Sequence, residues 1–165
     1  MQELFGDTGT NMSMTINSAR KELLLLGDDV TVSKVADTAA SAMLRGARGN
    51  SGVILSIIFR GFSKGFRDLE SAECVHFSNA LELGVDAAYK AVMKPTEGTI
   101  LTVSRMASQA AQQAGISVNE ISVFWKAVCD AASETLAKTP DMLPVLKEAG
   151  VVDSGGQGLL EILKG

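Results

Sequence analysis

The amino-acid sequence predicts an all-α protein, an antiparallel up-and-down helical bundle closed into a barrel. Three observations predict it. Apolar residues recur at three- and four-residue spacing through almost the whole chain, no alternating strand pattern interrupts them, and the breaks between periodic stretches are short. Composition agrees. The 165 residues, 46% hydrophobic and 21% charged, suffice for one globular domain spanning 1–165, and the low aromatic share of 5% suits helices packed closely on one another.

The elements follow in order. A first helix over Thr10–Leu26 leaves a glycine-rich stretch and stops at Gly27-Asp28-Asp29. A second, Ser33–Arg45, ends at Gly46, and a third, Asn50–Phe66, starts after Gly49. The third carries the longest apolar run, Val53 to Phe59 with Ser56 inside it, far short of the ~20 residues of a membrane span. In Ala72–Met93 apolar side chains fall at Cys74, Phe77, Leu81, Val85, Ala88 and Val92, and Lys94-Pro95 ends the helix. Thr99–Ala114 stops at Gly115. Val118–Lys138 repeats the pattern at Ile121, Phe124, Trp125, Val128 and Ala132, with Ser117 and Glu120 reading as a capping box. Thr139-Pro140 reads as an N-cap with proline in the first turn of a short helix, Pro140–Ala149. Gly150 separates it from a last helix over Ser154–Leu163.

Charge and residue counts exclude several functions. A net charge of −4, with no Lys/Arg block, leaves no excess of cations for phosphate contacts to nucleic acid. His76 is the only histidine and falls within a helix at a boundary position, which argues against a histidine base and against a histidine metal cluster. Cys74 and Cys129 form no Cys-x-x-Cys pair and read as reduced thiols, and the start of the chain does not read as a signal peptide. A cytoplasmic protein without a membrane span is the expectation.

Four glycine-rich stretches carry the functional signal: Gly6-Asp7-Thr8-Gly9-Thr10-Asn11, Arg48-Gly49-Asn50-Ser51-Gly52, Thr96-Glu97-Gly98-Thr99 and Asp153-Ser154-Gly155-Gly156-Gln157-Gly158. Each is expected to run into a helix start, where orphan N–H groups and a partial positive charge suit an anion. Glycine lets a phosphate approach the backbone. In an up-and-down bundle the starts at Asp7, Asn50 and Thr99 share one end. A Pro140–Ala149 piece of only ~15 Å, at 1.5 Å per residue, crosses that end and delivers Asp153 to it. A polyphosphate ligand is the reading that unites the four. Asp7 and Asp153 each read either as N-caps or as Mg²⁺ ligands. Glu97 reads as a partner of the helix dipole, and Arg45, Arg48, Lys94 and Arg105 are the cations nearest the site.

Together, Gly6 to Met12, Ala47 to Ser56, Lys94 to Thr102 and Gly150 to Gly156 resemble the ATP-binding domain of the dihydroxyacetone kinase L-subunit family. Within it they are most similar to the N-terminal kinase domain of bacterial fatty acid kinase. The resemblance covers nearly the whole chain and keeps the motifs in the family's order. It implies a helical barrel with ATP and Mg²⁺ at one end and Asp7 as metal ligand. It further implies that Thr8, Gly9, Thr10 and Asn11, with Gly49, Asn50, Ser51 and Gly52, line the phosphates. Gly98, Thr99, Asp153, Ser154, Gly155 and Gly156 would complete the nucleotide site.

The activity implied is transfer of the ATP γ-phosphate to the carboxylate of a fatty acid held by a carrier protein. Two departures stand out. Phe5 occupies the position of an expected aspartate, and the family's first helix and downstream domains are not in this chain. An apolar groove, open to a partner or to a second copy as a homodimer, is expected where that helix would pack. The alternatives are dihydroxyacetone kinase L-subunit activity with a separate substrate-holding subunit, and a catalytically inactive nucleotide-binding module.

Overall fold

The computed structural model describes the backbone of residues 3–165 and the side chains from Thr8 onward. Among the described residues there are eight α-helices and no strand: α1 (Glu3–Leu23), α2 (Val32–Gly46), α3 (Gly49–Gly65), α4 (Cys74–Ala91), α5 (Ile100–Gly115), α6 (Ile121–Met142), α7 (Pro144–Ala149) and α8 (Ser154–Lys164). The all-helical expectation holds.

Local chemistry sets most of the boundaries. Thr31 caps α2 by accepting from the Lys34 N–H at 3.1 Å. At the start of α4, His76 reaches back with Nδ1 to accept from the Glu73 N–H at 2.9 Å, so the lone histidine serves a helix end. Pro144 opens α7, and Gly150, in the left-handed region at φ 66°, closes it.

Four expectations are corrected. The stretch from Gly6 to Asn11 lies inside α1 rather than ahead of it, because the helix already begins at Glu3. At the other end α1 stops at Leu23, and Leu24 to Leu26 form a tightening turn. Pro140 lies within α6, two residues from its end, and the short helix begins instead at Pro144. Proline lacks the N–H that would bond Leu136 O four residues back. The Thr139 hydroxyl donates to that oxygen at 2.7 Å instead, so the helix continues. The capping box expected at Ser117 and Glu120 does not form: α6 starts only at Ile121, while the Ser117 N–H extends the end of α5 by bonding Ala114 O.

Consecutive helices from α1 to α6 pack as neighbours, α3 also touches α1, and α8 lies against α1 on one side and α5 and α6 on the other. Met12, Met43, Leu55, Val103, Phe124 and Val128, all buried, fill the interior between them. The closest approach is between α3 and α4, where a Cβ on Gly84 would collide with Ile58 O and one on Gly61 with the backbone of Gly84. In the half of the bundle remote from the starts of α3, α5 and α8, Phe62, Phe66, Phe77 and Trp125 form an edge-to-face cluster. They line an almost wholly apolar cavity of about 330 Å³. An apolar groove lined by Ile16, Phe59 and Ile162 runs beside the contact of α1 with α8. Among the described residues no helix is long and apolar enough to cross a membrane.

Candidate functional site

The described parts of the four glycine-rich stretches meet at one end of the bundle. The first and second touch through α1 and α3. Thr15 donates from Oγ1 to Asn11 O at 2.7 Å and accepts from the Arg48 N–H at 3.1 Å, which fixes the start of α3 against α1. Gly49 sits in the left-handed region at φ 62°, and a Cβ there would come within 2.5 Å of Asn11 Nδ2. A Cβ on Gly52 would lie 2.5 Å from Thr15 Oγ1. Gly49 is therefore favoured by its left-handed backbone, and Gly52, inside the helix, by the close approach of the Thr15 side chain.

The second, third and fourth stretches meet around Gly155. A Cβ built there would lie 3.4 Å from Ser51 Oγ and 3.3 Å from Ile100 Cβ, joining the first turns of α3, α5 and α8. Asp153 ties two of these helices together. Its carboxylate caps α8 by accepting from the Gly156 N–H at 2.8 Å and also takes backbone N–H bonds from Gly155 and Ile100. Burial pushes its carboxyl above the ordinary 3.8, and those three N–H bonds only partly offset the burial. Of the two readings of Asp153, the structure supports the cap.

Thr139 and the third stretch complete this end. The buried Thr139 hydroxyl, already bonded to Leu136 O, accepts from the Asp153 N–H at 3.1 Å. Gly98 is buried at φ 82° against Thr139 O and the Cβ atoms of Met142 and Leu143. Its N–H donates to Thr102 Oγ1 at 2.9 Å, and that hydroxyl donates to Glu97 Oε2 at 2.7 Å. Thr99 caps α5, accepting from the Leu101 N–H at 3.3 Å and donating to Thr96 O at 2.7 Å. The Thr102 hydroxyl holds the Glu97 carboxyl below its usual range, Arg105 and Tyr89 assist, and partial burial opposes them.

The three converging helix starts differ in one respect. Thr99 caps α5 and Asp153 caps α8, but no side chain caps α3. Its first N–H groups, from Gly49, Asn50 and Ser51, have no intrahelical acceptor, and Gly49 and Asn50 are exposed. That end of α3 offers backbone donors, a positive partial charge and no obstructing Cβ at Gly49, a combination that fits a phosphate group.

Other expected site residues are placed differently. Thr8, Gly9 and Thr10 lie on α1, where the backbone N–H groups of Gly9 and Thr10 serve the helix, and nothing lies within 4 Å of a Cβ on Gly9. Ser154 lies on the wall of the groove between α1 and α8. The side chain of Asp7, the expected metal ligand, lies outside the described residues, as do those of Glu3 and Phe5. Among the described residues no group of three or more His, Cys, Asp or Glu could hold a metal ion. Arg45 is paired with Glu22, and Arg48 bends onto its own neighbour, Ala47 O, at 3.2 Å. From the sequence, Thr15 and Thr102 carry no named role, and Thr139 only that of an N-cap before Pro140. Thr139 had a visible signal, a hydroxyl directly before a proline in a helical pattern.

Residues 6–165 match the family model described as DAK2 domain. The chain belongs to the DAK2 domain family. Members are nucleotide-binding modules like the dihydroxyacetone kinase L-subunit and are associated with kinase-type function. The chain is similar to protein YloV of Bacillus subtilis, with 48% identity over 160 residues, which cover 97% of this chain and 29% of the relative. It is 46% identical over the same span to an uncharacterized protein of Staphylococcus saprophyticus, with the same coverage of each chain. An uncharacterized protein of Staphylococcus aureus is 44% identical over 160 residues, again 97% of this chain and 29% of the relative. The chain thus spans less than a third of the length of the curated relatives it matches.

Proposed function

We propose that this chain is the ATP-binding domain of a phosphotransferase that passes the γ-phosphate of ATP to the carboxylate of a fatty acid presented by a carrier protein. The observation that carries the nucleotide reading is the meeting of three helix starts at one end, with that of α3 uncapped beside Asn11, Ser51 and Gly155. In this reading the first turn of α3 receives phosphate oxygens, Thr99 and Asp153 keep the starts of α5 and α8 in place, and Asp7 holds Mg²⁺. The metal, when bound, neutralises phosphate charge. A carboxylate acceptor is already ionised near neutral pH, so no general base is needed, which suits a chain whose one histidine caps a helix. Positioning of the two substrates supplies most of the catalysis.

The test is ATP-dependent acyl phosphate formation by the protein with a loaded fatty-acid carrier, run beside dihydroxyacetone with its binding subunit. Turnover with the carrier alone supports the proposal. Turnover with dihydroxyacetone alone replaces it with the L-subunit reading. Nucleotide binding without transfer to either acceptor makes the domain a binding module, as the phenylalanine at position 5 would suggest.

A further inference from the structure

The connection from Val92 to Thr99 crosses the glycine-rich end with little apolar support: Met93 is 97% exposed, and Lys94, Pro95 and Thr96 are exposed as well. Polar contacts hold its second half. Arg105, two turns along α5 from Gly98, leans back toward the helix start, as side chains on a helix do. It donates from Nε to the Tyr89 hydroxyl at 3.1 Å and from Nη2 to Glu97 Oε2 at 2.8 Å, while Nη1 lies 3.7 Å from Met106 Sδ. The same Glu97 oxygen accepts from Thr102, whose hydroxyl holds the N–H of Gly98. The series of contacts therefore runs from α4 through the guanidinium to the left-handed residue that sets up Thr99 as the cap of α5.

We propose that Arg105 is a positioning residue for nucleotide binding: clamped between Tyr89 and Glu97, it fixes the connection that carries Gly98 and Thr99 across the site. This inference rests on the nucleotide reading above. Each of the three guanidinium nitrogens makes one contact within the protein, which uses three of its five N–H donors, and the effect of Arg105 is placed on Glu97 and Gly98. A planar fork is needed because Tyr89 and Glu97 are reached from different nitrogens, which one ammonium group cannot reproduce. The pair is also half open to water, at 37% exposure for Arg105 and 51% for Glu97. Pairs so exposed add little to global stability. The clamp's effect therefore falls on the order of one connection rather than on the fold.

The test compares the dissociation constant for ATP with Mg²⁺, by calorimetry, in the natural protein and in Arg105→Ala, Arg105→Lys, Tyr89→Phe and the Tyr89→Phe/Arg105→Ala pair. Thermal midpoints without nucleotide are recorded alongside. Arg105→Ala is expected to weaken binding about tenfold and Tyr89→Phe about threefold. Because the Tyr89 hydroxyl also donates directly to Glu97 Oε1 at 3.4 Å, the double variant should be weaker than Arg105→Ala, but by less than about a further threefold, as for two residues that share part of their contacts. Arg105→Lys should bind within about threefold of Arg105→Ala, and nucleotide-free midpoints should stay within ~2 °C of the natural protein. Equal affinities across the series overturn the inference while leaving the nucleotide reading intact. Effects confined to the nucleotide-free midpoint also overturn it, since they mark a purely structural role. Natural protein that binds no nucleotide overturns the nucleotide reading and the inference with it. If Arg105→Ala fails to fold, Tyr89→Phe and Arg105→Lys decide, and natural affinity in both overturns the inference.

Discussion

At position 139 a buried hydroxyl joins two elements, standing in for the N–H that Pro140 lacks and receiving the N–H of Asp153. Thr139→Val keeps the shape but leaves Leu136 O and the Asp153 N–H without that partner, a loss of about 1–3 kcal/mol. In a chain of this size that is a fall of roughly 3–8 °C in thermal midpoint, which Thr139→Ser should largely restore. Asp153 gives a second test, read against pH. Burial raises its carboxyl above 3.8, so between that value and the higher folded one the folded protein binds more protons than the unfolded chain. Its contribution is then most favourable below 3.8 and is lost as pH rises through the folded value. Asp153→Asn does not ionise but keeps an acceptor for Gly156, so its midpoint minus that of the natural protein should grow as pH rises from about 3.5 to 6. A difference that shrinks over that range would contradict the account. Both readings of Asp153 were legible in the sequence. What favours the cap is the Gly156 N–H bond at 2.8 Å, which the sequence permits but cannot show to form.

Among the elements, α2 to α5 begin and end within two residues of where periodicity and glycines put them, because each break carries a local signal, a capping side chain or a glycine. The failures have physical causes. Pro140 was read as a helix start because proline favours first turns, but the Thr139 hydroxyl removes part of the penalty for an interior proline. Gly6 and Gly9 marked a break before α1, yet interior glycine costs only about 1 kcal/mol each, which a long helix can absorb. Two other glycines, unremarkable in the sequence, decide how closely α3 and α4 pack. Gly84→Ala would drive a methyl group into Ile58 O, with backbone on both sides and nothing flexible to yield. The expected cost is about 1–3 kcal/mol, a fall of several degrees in thermal midpoint by calorimetry. An unchanged midpoint would mean that the helices pack less closely than described.

For the whole molecule, the two ends of the bundle have different chemistry. One carries glycines, hydroxyls and three helix starts, and the other an aromatic cluster around an apolar cavity. An up-and-down bundle with short connections brings alternate helix starts to one end, which is why the meeting of the glycine-rich stretches was legible from connection lengths before any side chain was placed. The side-chain bonds that hold the starts of α5 and α8, and leave that of α3 uncapped, were not legible, since they depend on which helices become neighbours. The measurement that tests the central claim most directly is an amide chemical-shift titration of the protein with ATP and Mg²⁺. The account predicts the largest shifts at Gly49, Asn50 and Ser51, smaller ones at Gly98 to Ile100 and Gly155 to Gly156, and little change at Phe66, Phe77 and Trp125. Shifts concentrated at the aromatic end, or none at saturating nucleotide, would contradict it.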